Sequence, residues 1–490
     1  MLFNSIDFVV FFIAVLAIIT ILRYKKFQHL FLVIASYFFF YYTSDILISL
    51  LIFSTVLDFY VGKEIFHAKT VKKKKILLAA SLTGNLGLLG FFKYADFGIE
   101  QFNVLLGQFN LPEFPLLEII LPIGISFYTF QTISYTVDIY RGSLTPSKSF
   151  REFALFVAFF PQLVAGPILR ANQFLPQLRE KLEKVGTGIK LRQIIIKNSN
   201  LKFGITLMTI GFFKKMFFAD NIAPLANQVF ENPVGLDSFS IILGTIAFGF
   251  QIYGDFSGYS DIAIGAALIL GFYVPKNFNK PYFATSPSDF WRRWHISLST
   301  WVRDYLFFPL ILKNRKSAKR LFASLFTSFF LLGLWHGAGW NFIIFGMIHG
   351  VFVAVDTVIR KKIPYFSEQK FFKTRTGKII SILITQYLIF FAFIAFRVRD
   401  IDNMLYSMQK FVFWDFEIES FLEIISVNKI PIVLIIIFII LHFISYKKEN
   451  LIESISKLKI RYWIVFFMII LGSITLLYDL NPHDFIYFKF

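Results

Sequence analysis

The stretch Leu321–Val355 reads LFASLFTSFFLLGLWHGAGWNFIIFGMIHGVFVAV, and its pattern decides the fold. Two apolar runs flank His336, and glycines bracket this histidine at Gly333, Gly337 and Gly339. A helix needs about 20 mostly apolar residues to cross the ~30 Å hydrocarbon core of a bilayer. The stretch therefore predicts membrane helices that carry an ionisable side chain among small residues.

Apolar runs of this kind recur along all 490 residues. They lie near 7–22, 29–44, 46–62, 76–92, 117–139, 152–169, 203–218, 238–253, 260–274, 321–335, 341–358, 379–396, 430–445 and 462–478. Hydrophobic residues make up 56% of the chain, more than a soluble core of this length can hide. We predict an all-α polytopic membrane protein. We expect a single integral membrane domain over 1–490, with a motif-rich core at about 117–358 and C-terminal helices over 379–478.

Charge and cysteine content limit the function classes. The net charge is +19, but Lys and Arg in a membrane protein first report topology and contact with the lipid bilayer, so we expect no nucleic-acid partner. The basic cluster at Lys72–Lys75 and the acidic connector Ala95–Glu118 predict an external N-terminus and a cytoplasmic lysine cluster. The chain has no cysteine, which excludes an acyl-cysteine intermediate within it.

The apolar run at 152–169 contains PQLVAGPILR, with Pro161, Gly166 and Pro167. Basic residues flank the run on both sides, whereas the connectors at the two ends of a single membrane span should differ in positive charge. Broken backbone at membrane depth is tolerated only where protein or a water-filled cavity surrounds it. We therefore predict an interrupted or re-entrant element near a functional site.

A polar island, DFWRRWHISLSTWVRDY, spans Asp289–Tyr305. On a helical wheel, one stripe comprises Trp291, Trp294, Leu298, Trp301 and Tyr305, and the adjoining stripe comprises Arg292, His295, Ser299 and Arg303. The pattern predicts one amphipathic helix with His295 at the border of the two stripes. Such a helix serves either as an interfacial anchor or as part of a site.

Two further histidines follow the polar island. An ionisable residue within an apolar membrane run is a functional candidate, although a histidine satisfied by packing is the alternative for His336. In a continuous helix, His349 would lie roughly 20 Å from His336 at 1.5 Å per residue, too far to share a reacting atom. His336 is thus the stronger candidate of the two.

The segment QIYGDFSGYSDIAIG, Gln251–Gly265, places Asp255 among small residues. A carboxylate at membrane depth needs a partner, and Arg292, Arg293 or Arg303 could supply the positive charge. Alternatively, Asp255 caps the helix that follows it. Both readings stay open at the level of the sequence.

Several motifs in order resemble the membrane-bound O-acyltransferase family, in particular its alginate O-acetylation branch. They are FFKYADF, LPIGISFYTFQTISYTVDIYRG, FPQLVAGPILR, GDFSGYSDIAIG, NFNKPYFATSPSDFWRRWHISLSTWVRDYLFFPL, GLWHGAGWNF and the terminal DFIYFKF. The order and spacing of WHG after RRWHISLSTWVRDY make the resemblance specific. After YLFFPL, where the family continues with glycines, this chain has Ile311, Leu312 and Lys313.

The resemblance implies a bundle of helices, some re-entrant or broken, around a central funnel or tunnel. It implies a cytoplasmic acyl thioester such as acetyl-CoA as donor substrate, no bound cofactor or metal, and a polysaccharide acceptor or an extracytoplasmic acetyltransferase partner, at the inner membrane. It also implies that His336 is catalytic and His295 is the second active-site histidine. We further expect these residues to shape the site: Asp255, Arg292, Arg303, Asp304, Trp335 and Gly337.

Two alternatives accompany this reading. One is a teichoic-acid D-alanyl transfer protein of the same family, which takes its acyl group from a carrier protein. The other is a transporter, because buried charges and broken helices also line permeation paths, although the chain shows no inverted repeat.

Overall fold

The computed structural model describes residues 1–164, 166–180, 194–312, 317–362, 370–478 and 485–486. These residues are mostly helical, and none of them lies in a β-strand. Seven helical segments of the described chain are long and apolar enough to cross a bilayer. They are Lys25–His67, Val71–Gln108, Ser238–Ile269, Ala318–His336, Trp340–Lys362, Arg375–Arg397 and Lys429–Lys447. The prediction of an all-α polytopic membrane protein is confirmed.

The chain forms two compact units. The first contains Met1–Met208 and Tyr259–Pro275, and the second contains Thr209–Gly258 and Lys276–Phe490. The single domain over 1–490 and the central funnel therefore stay predictions.

The first unit consists of helices joined by short turns. Their bounds are Ile6–Ile21, Lys25–Ser44, Asp45–Leu47 (a 3-10 turn), Ile48–His67, Val71–Gln108, Ile125–Tyr140, Phe150–Ala158, Phe160–Leu163, Ala171–Glu180 and Asn198–Phe212, whose last four residues belong to the second unit. Ser5 and Thr70 accept backbone N–H groups at the starts of their helices, which satisfies donors that a helix leaves unpaired.

A buried polar cluster joins three neighbouring helices of this unit. Asp58 accepts hydrogen bonds from Ser81 Oγ at 2.6 Å and from Asn85 Nδ2 at 2.8 Å. Ser81 Oγ also lies 3.0 Å from Thr136 Oγ1. Interhelical hydrogen bonds of this kind hold membrane helices together, because lipid supplies no alternative partner for polar groups.

The interrupted element that the sequence predicts at 152–169 is confirmed. A helix ends at Ala158, Phe159 adopts a non-helical conformation, and a short helix spans Phe160–Leu163. The side chains from Phe153 to Leu163 are buried, so protein surrounds the broken backbone. Ala165 lies outside the described residues, and the proximity of this element to a site stays a prediction.

The second unit carries the remaining helices. Their bounds are Phe213–Ala219 (π-helical), Asp220–Glu231, Ser238–Ile269, which continues into the first unit, Pro281–Phe283 (3-10), Pro287–Arg293, Ile296–Val302, Arg303–Phe307 (π-helical), Phe308–Ile311, Ala318–His336, Trp340–Lys362, Lys370–Lys373, Arg375–Arg397, Ile401–Val412, Ile418–Val427, Lys429–Lys447, Leu451–Ser456 and Ile460–Leu476.

A helical hairpin in the second unit depends on two glycines. The helices Ala318–His336 and Trp340–Lys362 pack so closely at Gly333 and Gly346 that a Cβ atom on Gly333 would lie 2.8 Å from the Cα of Gly346. Small residues allow such close approach between membrane helices. The absence of a side chain at Gly333 therefore admits the neighbouring helix.

Three predicted apolar segments differ from the observed helices. The segments 238–253 and 260–274 belong to one helix, Ser238–Ile269, because the polar residues between them are buried in protein rather than placed in a connector. The segment 117–139 becomes helical only at Ile125. Most of the loop between Leu312 and Arg320, including Lys313, lies outside the described residues.

Candidate active site

His336 is the last residue of the helix Ala318–His336. Only 5% of its surface is exposed, and its ring lies among Trp335 at 5.0 Å, Phe396 at 5.2 Å and Phe345 at 5.6 Å between ring centroids. Gly337 follows in an extended conformation, and a Cβ atom there would clash with the ring of Phe342. The glycine is thus needed for the chain to turn directly after the histidine.

His295 occupies a sharp break in the polar island. The helix Pro287–Arg293 ends before it, the helix Ile296–Val302 begins after it, and His295 itself has a left-handed backbone with φ of 44°. The predicted continuous amphipathic helix over Asp289–Tyr305 is therefore wrong. A left-handed conformation is unfavourable for a residue with a Cβ atom, so the surrounding contacts hold it in place.

Aromatic rings connect the two histidines. The ring of Trp335 lies 6.3 Å from that of His295 and 5.0 Å from that of His336. On another side, His295 meets Phe256 edge to face at 4.6 Å. Residues that are 41 positions apart in the sequence thus share one tryptophan neighbour, and both histidines are buried.

Asn277 is a site residue that the sequence reasoning missed. Its side-chain oxygen lies 3.1 Å from His295 Nδ1, 3.2 Å from the backbone nitrogen of Ser297 and 2.8 Å from Ser297 Oγ. Its backbone oxygen accepts the N–H of Ile296 at 2.8 Å. Asn277 therefore caps the start of the helix Ile296–Val302, although it does not belong to that helix. The signal in the sequence was the first asparagine of the NFNKPYF motif, a residue to which the sequence pattern assigned no role.

Asp255 has a lysine partner. Lys215 Nζ lies 2.9 Å from Asp255 and 2.7 Å from Asp220, and all three side chains are buried. The second oxygen of Asp255 accepts the backbone N–H of Ile486 at 2.7 Å. The proposed pairing with Arg292, Arg293 or Arg303 is wrong, and so is the capping role, because Asp255 lies inside the helix Ser238–Ile269.

The predicted arginine and aspartate candidates lie at the periphery. Arg292 is 70% exposed and pairs with Asp289 at 3.5 Å. Arg303 and Asp304 pair with each other at 2.7 Å, and the arginine side chain is half exposed. Their contacts link neighbouring residues of one segment, so their role in shaping the site stays a prediction.

His349 lies closer to the site than a continuous helix would place it. The chain turns between His336 and Trp340, so both histidines contact the same ring, that of Phe345, at 5.6 and 4.6 Å. Trp291 Nε1 donates a hydrogen bond to His349 Nδ1 at 3.2 Å. The separation of roughly 20 Å expected for an unbroken helix therefore does not apply.

Burial also sets the charge of His295, which lies outside the membrane-crossing helices. Removal of its ring from water lowers the pKa of His295 to about 3. The imidazole is therefore neutral at physiological pH, with one nitrogen protonated and the other able to accept a hydrogen bond.

The region that contains these residues also matches a known family. MBOAT, the membrane-bound O-acyltransferase family, matches residues 141–408, which is more than half of the chain. The chain belongs to the membrane-bound O-acyltransferase family. The matched region includes His295, His336 and Asn277. Family membership places the chain among the multi-pass membrane enzymes of the O-acyltransferase class.

Three relatives of this O-acyltransferase differ in the polymer that their names specify. A probable alginate O-acetylase of Pseudomonas aeruginosa is 40% identical over 365 residues, which cover 73% of this chain and 66% of the relative, just under two thirds of its length. A peptidoglycan O-acetyltransferase of Helicobacter pylori is 34% identical, covering 83% of this chain and 78% of the relative. A teichoic acid D-alanyltransferase of Bacillus subtilis is 30% identical, covering 58% and 71% respectively.

Among the residues that the structure describes, no three His, Asp or Glu side chains are grouped so that they could hold a metal ion. The imidazoles of His295 and His336 can transfer protons and form hydrogen bonds.

Proposed function

We propose that this O-acyltransferase moves an acetyl group from cytoplasmic acetyl-CoA across the inner membrane to a hydroxyl of an extracytoplasmic polysaccharide. The observation that carries the proposal is that two buried histidines, His295 and His336, both have Trp335 as a ring neighbour. Burying two imidazoles in a membrane protein is costly, so their convergence favours a functional role. The two O-acetylating relatives support acetate as the transferred group.

His336 acts as the general base in this proposal. The acceptor hydroxyl attacks the thioester carbonyl, a carbon–oxygen bond forms, and the carbon–sulfur bond breaks. His336 takes the proton of the hydroxyl and returns it to the departing thiolate, so the products are an ester and free coenzyme A. Imidazole suits this task because its ordinary pKa of ~6.5 lies near the working pH.

Transfer to the final acceptor follows one of two routes. With no cysteine in this chain, an acyl-cysteine relay within it is excluded, and direct attack by the acceptor is the simplest course. A partner acetyltransferase outside the membrane could receive the acetyl group first and pass it to the polymer. In both routes the chemistry at His336 is the same.

D-alanyl transfer is the competing activity, supported by the more distant relative from Bacillus subtilis. The O-acetylating relatives align with a larger share of this chain and at higher identity, which favours acetate. Mass spectrometry of surface glycans from cells with and without the chain separates the two activities. Ester-linked acetate is the expected finding, and D-alanine in its place would overturn the assignment.

The role of His336 is tested in proteoliposomes that receive radiolabelled acetyl-CoA and alginate oligosaccharides. We expect His336→Ala to lower ester formation by about 10²- to 10⁴-fold, the usual contribution of general base catalysis. His67→Ala is the matched control, because His67 is exposed at the end of the helix Ile48–His67. Equal activity of the two variants, at equal protein levels, would rule out His336 as the base.

A further inference from the structure

The hydrogen bonds around Asn277 identify which of its side-chain atoms faces His295. A backbone N–H group can only donate, and that of Ser297 points at the Asn277 side-chain atom 3.2 Å away. The atom must therefore be the amide oxygen, an acceptor. Ser297 Oγ, which lies 2.8 Å from the same atom, is consistent with this orientation.

The orientation of Asn277 in turn identifies the protonated nitrogen of His295. His295 Nδ1 lies 3.1 Å from the same amide oxygen, and an oxygen acceptor requires a donor opposite it. Nδ1 therefore carries the proton. In a neutral imidazole the other nitrogen, Nε2, then carries a lone pair.

Resting on the proposed function, we infer that Asn277 is a positioning residue that holds His295 with Nε2 as a hydrogen-bond acceptor for the polysaccharide. A second histidine in such a site could either hold the oxyanion or bind the acceptor. An oxyanion must be held by donors, and Nε2 in this tautomer has no proton to donate. His295 instead binds a hydroxyl that neighbours the reacting one on the sugar.

The division of labour between the histidines keeps the protons balanced. The reacting hydroxyl passes its proton to His336, which transfers it to the thiolate. The neighbouring hydroxyl keeps its proton and donates it to His295 Nε2. This arrangement fits an acceptor with two adjacent hydroxyl groups, as sugars have.

The choice of asparagine over aspartate at position 277 agrees with this role. A carboxylate beside Nδ1 would stabilise the imidazolium form, which has two N–H donors and no acceptor. The neutral amide gives no such stabilisation, and burial also disfavours the charged ring, lowering the pKa of His295 to about 3. Both effects preserve the lone pair on Nε2.

The tautomer is measurable without any activity assay. Solid-state ¹⁵N NMR of the full-length protein, labelled at its histidines and embedded in lipid bilayers, distinguishes protonated from unprotonated ring nitrogens. A His295→Gln variant identifies the signals that belong to His295. We expect a protonated Nδ1 and an unprotonated Nε2, and a protonated Nε2 in the resting protein would overturn the inference.

Kinetics then test what the tautomer does. With alginate oligosaccharides as the probe acceptor, we expect Asn277→Leu to raise the acceptor KM by about tenfold, the effect of one lost neutral hydrogen bond. Hydrolysis of acetyl-CoA by water, measured without acceptor, should change less than about threefold, since that reaction needs no sugar. An oxyanion donor would affect both reactions, so an equal fall in the two would refute the acceptor-binding role.

Two more variants separate positioning from folding. Asn277→Asp keeps the accepting oxygen but favours the imidazolium, so its sugar transfer should be near normal at pH 8 and fail at a higher pH than that of the unaltered enzyme. An unchanged pH profile would contradict the inference. Thr300→Ala is the control, because its hydroxyl bonds the Ile296 carbonyl of its own helix and its loss should leave both reactions unchanged.

The outcomes for the inference and for the proposed function are distinguishable. If the NMR tautomer is as expected but no acetyl group reaches any sugar, the proposed acceptor is wrong while the arrangement of Asn277 and His295 stands. If acetyl transfer occurs with Nε2 protonated, the function stands and the inference fails.

Discussion

Replacing Gly333 with alanine tests whether the glycine contact between two membrane helices positions His336. A Cβ atom at Gly333 would lie 2.4 Å from the backbone oxygen of Phe342 and 2.8 Å from the Cα of Gly346. Both neighbours are backbone atoms, so no side-chain rotation can relieve the contact. The helices must move apart by about 1 Å to restore the ~3.4 Å at which carbon and oxygen atoms meet.

The magnitude of the Gly333→Ala effect follows from this displacement. Overpacking of a close contact costs about 1–3 kcal/mol, which the helix preference for alanine, about 0.5–1 kcal/mol, only partly offsets. His336 lies three residues further along the same helix, in contact with Phe345 of the opposite helix. A shift of about 1 Å in a catalytic group can lower the rate by about 10²-fold.

The assay compares thermal unfolding in detergent with acetyl transfer in proteoliposomes. Gly87→Ala is the matched control, since Gly87 also lies inside a long membrane helix but a Cβ atom there meets nothing within 4 Å. We expect Gly333→Ala to lower both the unfolding midpoint and the rate, and Gly87→Ala to lower neither. If the two variants behave alike, the glycine contact does not position the histidine.

The remaining predictions concern buried polar groups. Lys215→Met should destabilise the fold by about 3–5 kcal/mol, because Asp255 loses its buried cation; chemical unfolding measures this, and a loss under 1 kcal/mol would contradict it. Trp291→Phe removes the donor to His349 and should cost about 1–3 kcal/mol by the same measurement, with an unchanged midpoint as the contrary result. Unfolded His295 binds a proton near pH 6.5 but the folded residue only near 3, so stability should fall as the pH drops through this window, by up to about 1.4 kcal/mol per pH unit. His295→Gln should make this slope shallower by the share of one proton, and an unchanged slope would show that His295 does not contribute to it.

The break at His295 shows where a periodic pattern misleads. The tryptophans and arginines of the polar island repeat at helical spacing, so a continuous helix was the natural prediction. Asn277, which lies outside the polar island, caps the helix Ile296–Val302 that follows the break. Its side-chain and backbone oxygens accept the N–H groups of Ser297 and Ile296 at the start of that helix. Local periodicity carries no information on a cap supplied by another segment.

The amino-acid sequence by itself determined that this is a helical membrane protein and which family it resembles, and it singled out His295 and His336 as the candidate site residues. Long apolar runs and ordered motifs are local properties of a chain, and bilayer thickness converts the former directly into membrane helices. The sequence also indicated the interrupted element at 152–169, because Pro161, Gly166 and Pro167 stand close together in one apolar run and a proline in a helix interior removes a backbone hydrogen bond.

Only the tertiary structure decided the partners of the buried polar groups. It paired Asp255 with Lys215 instead of an arginine, placed Asn277 on His295, and brought His349 to the ring that His336 also contacts. A buried charge or ring nitrogen needs some partner, and several residues of suitable chemistry exist along the chain. Which one comes within ~3 Å depends on how the helices turn and pack, and the sequence pattern does not contain that distance.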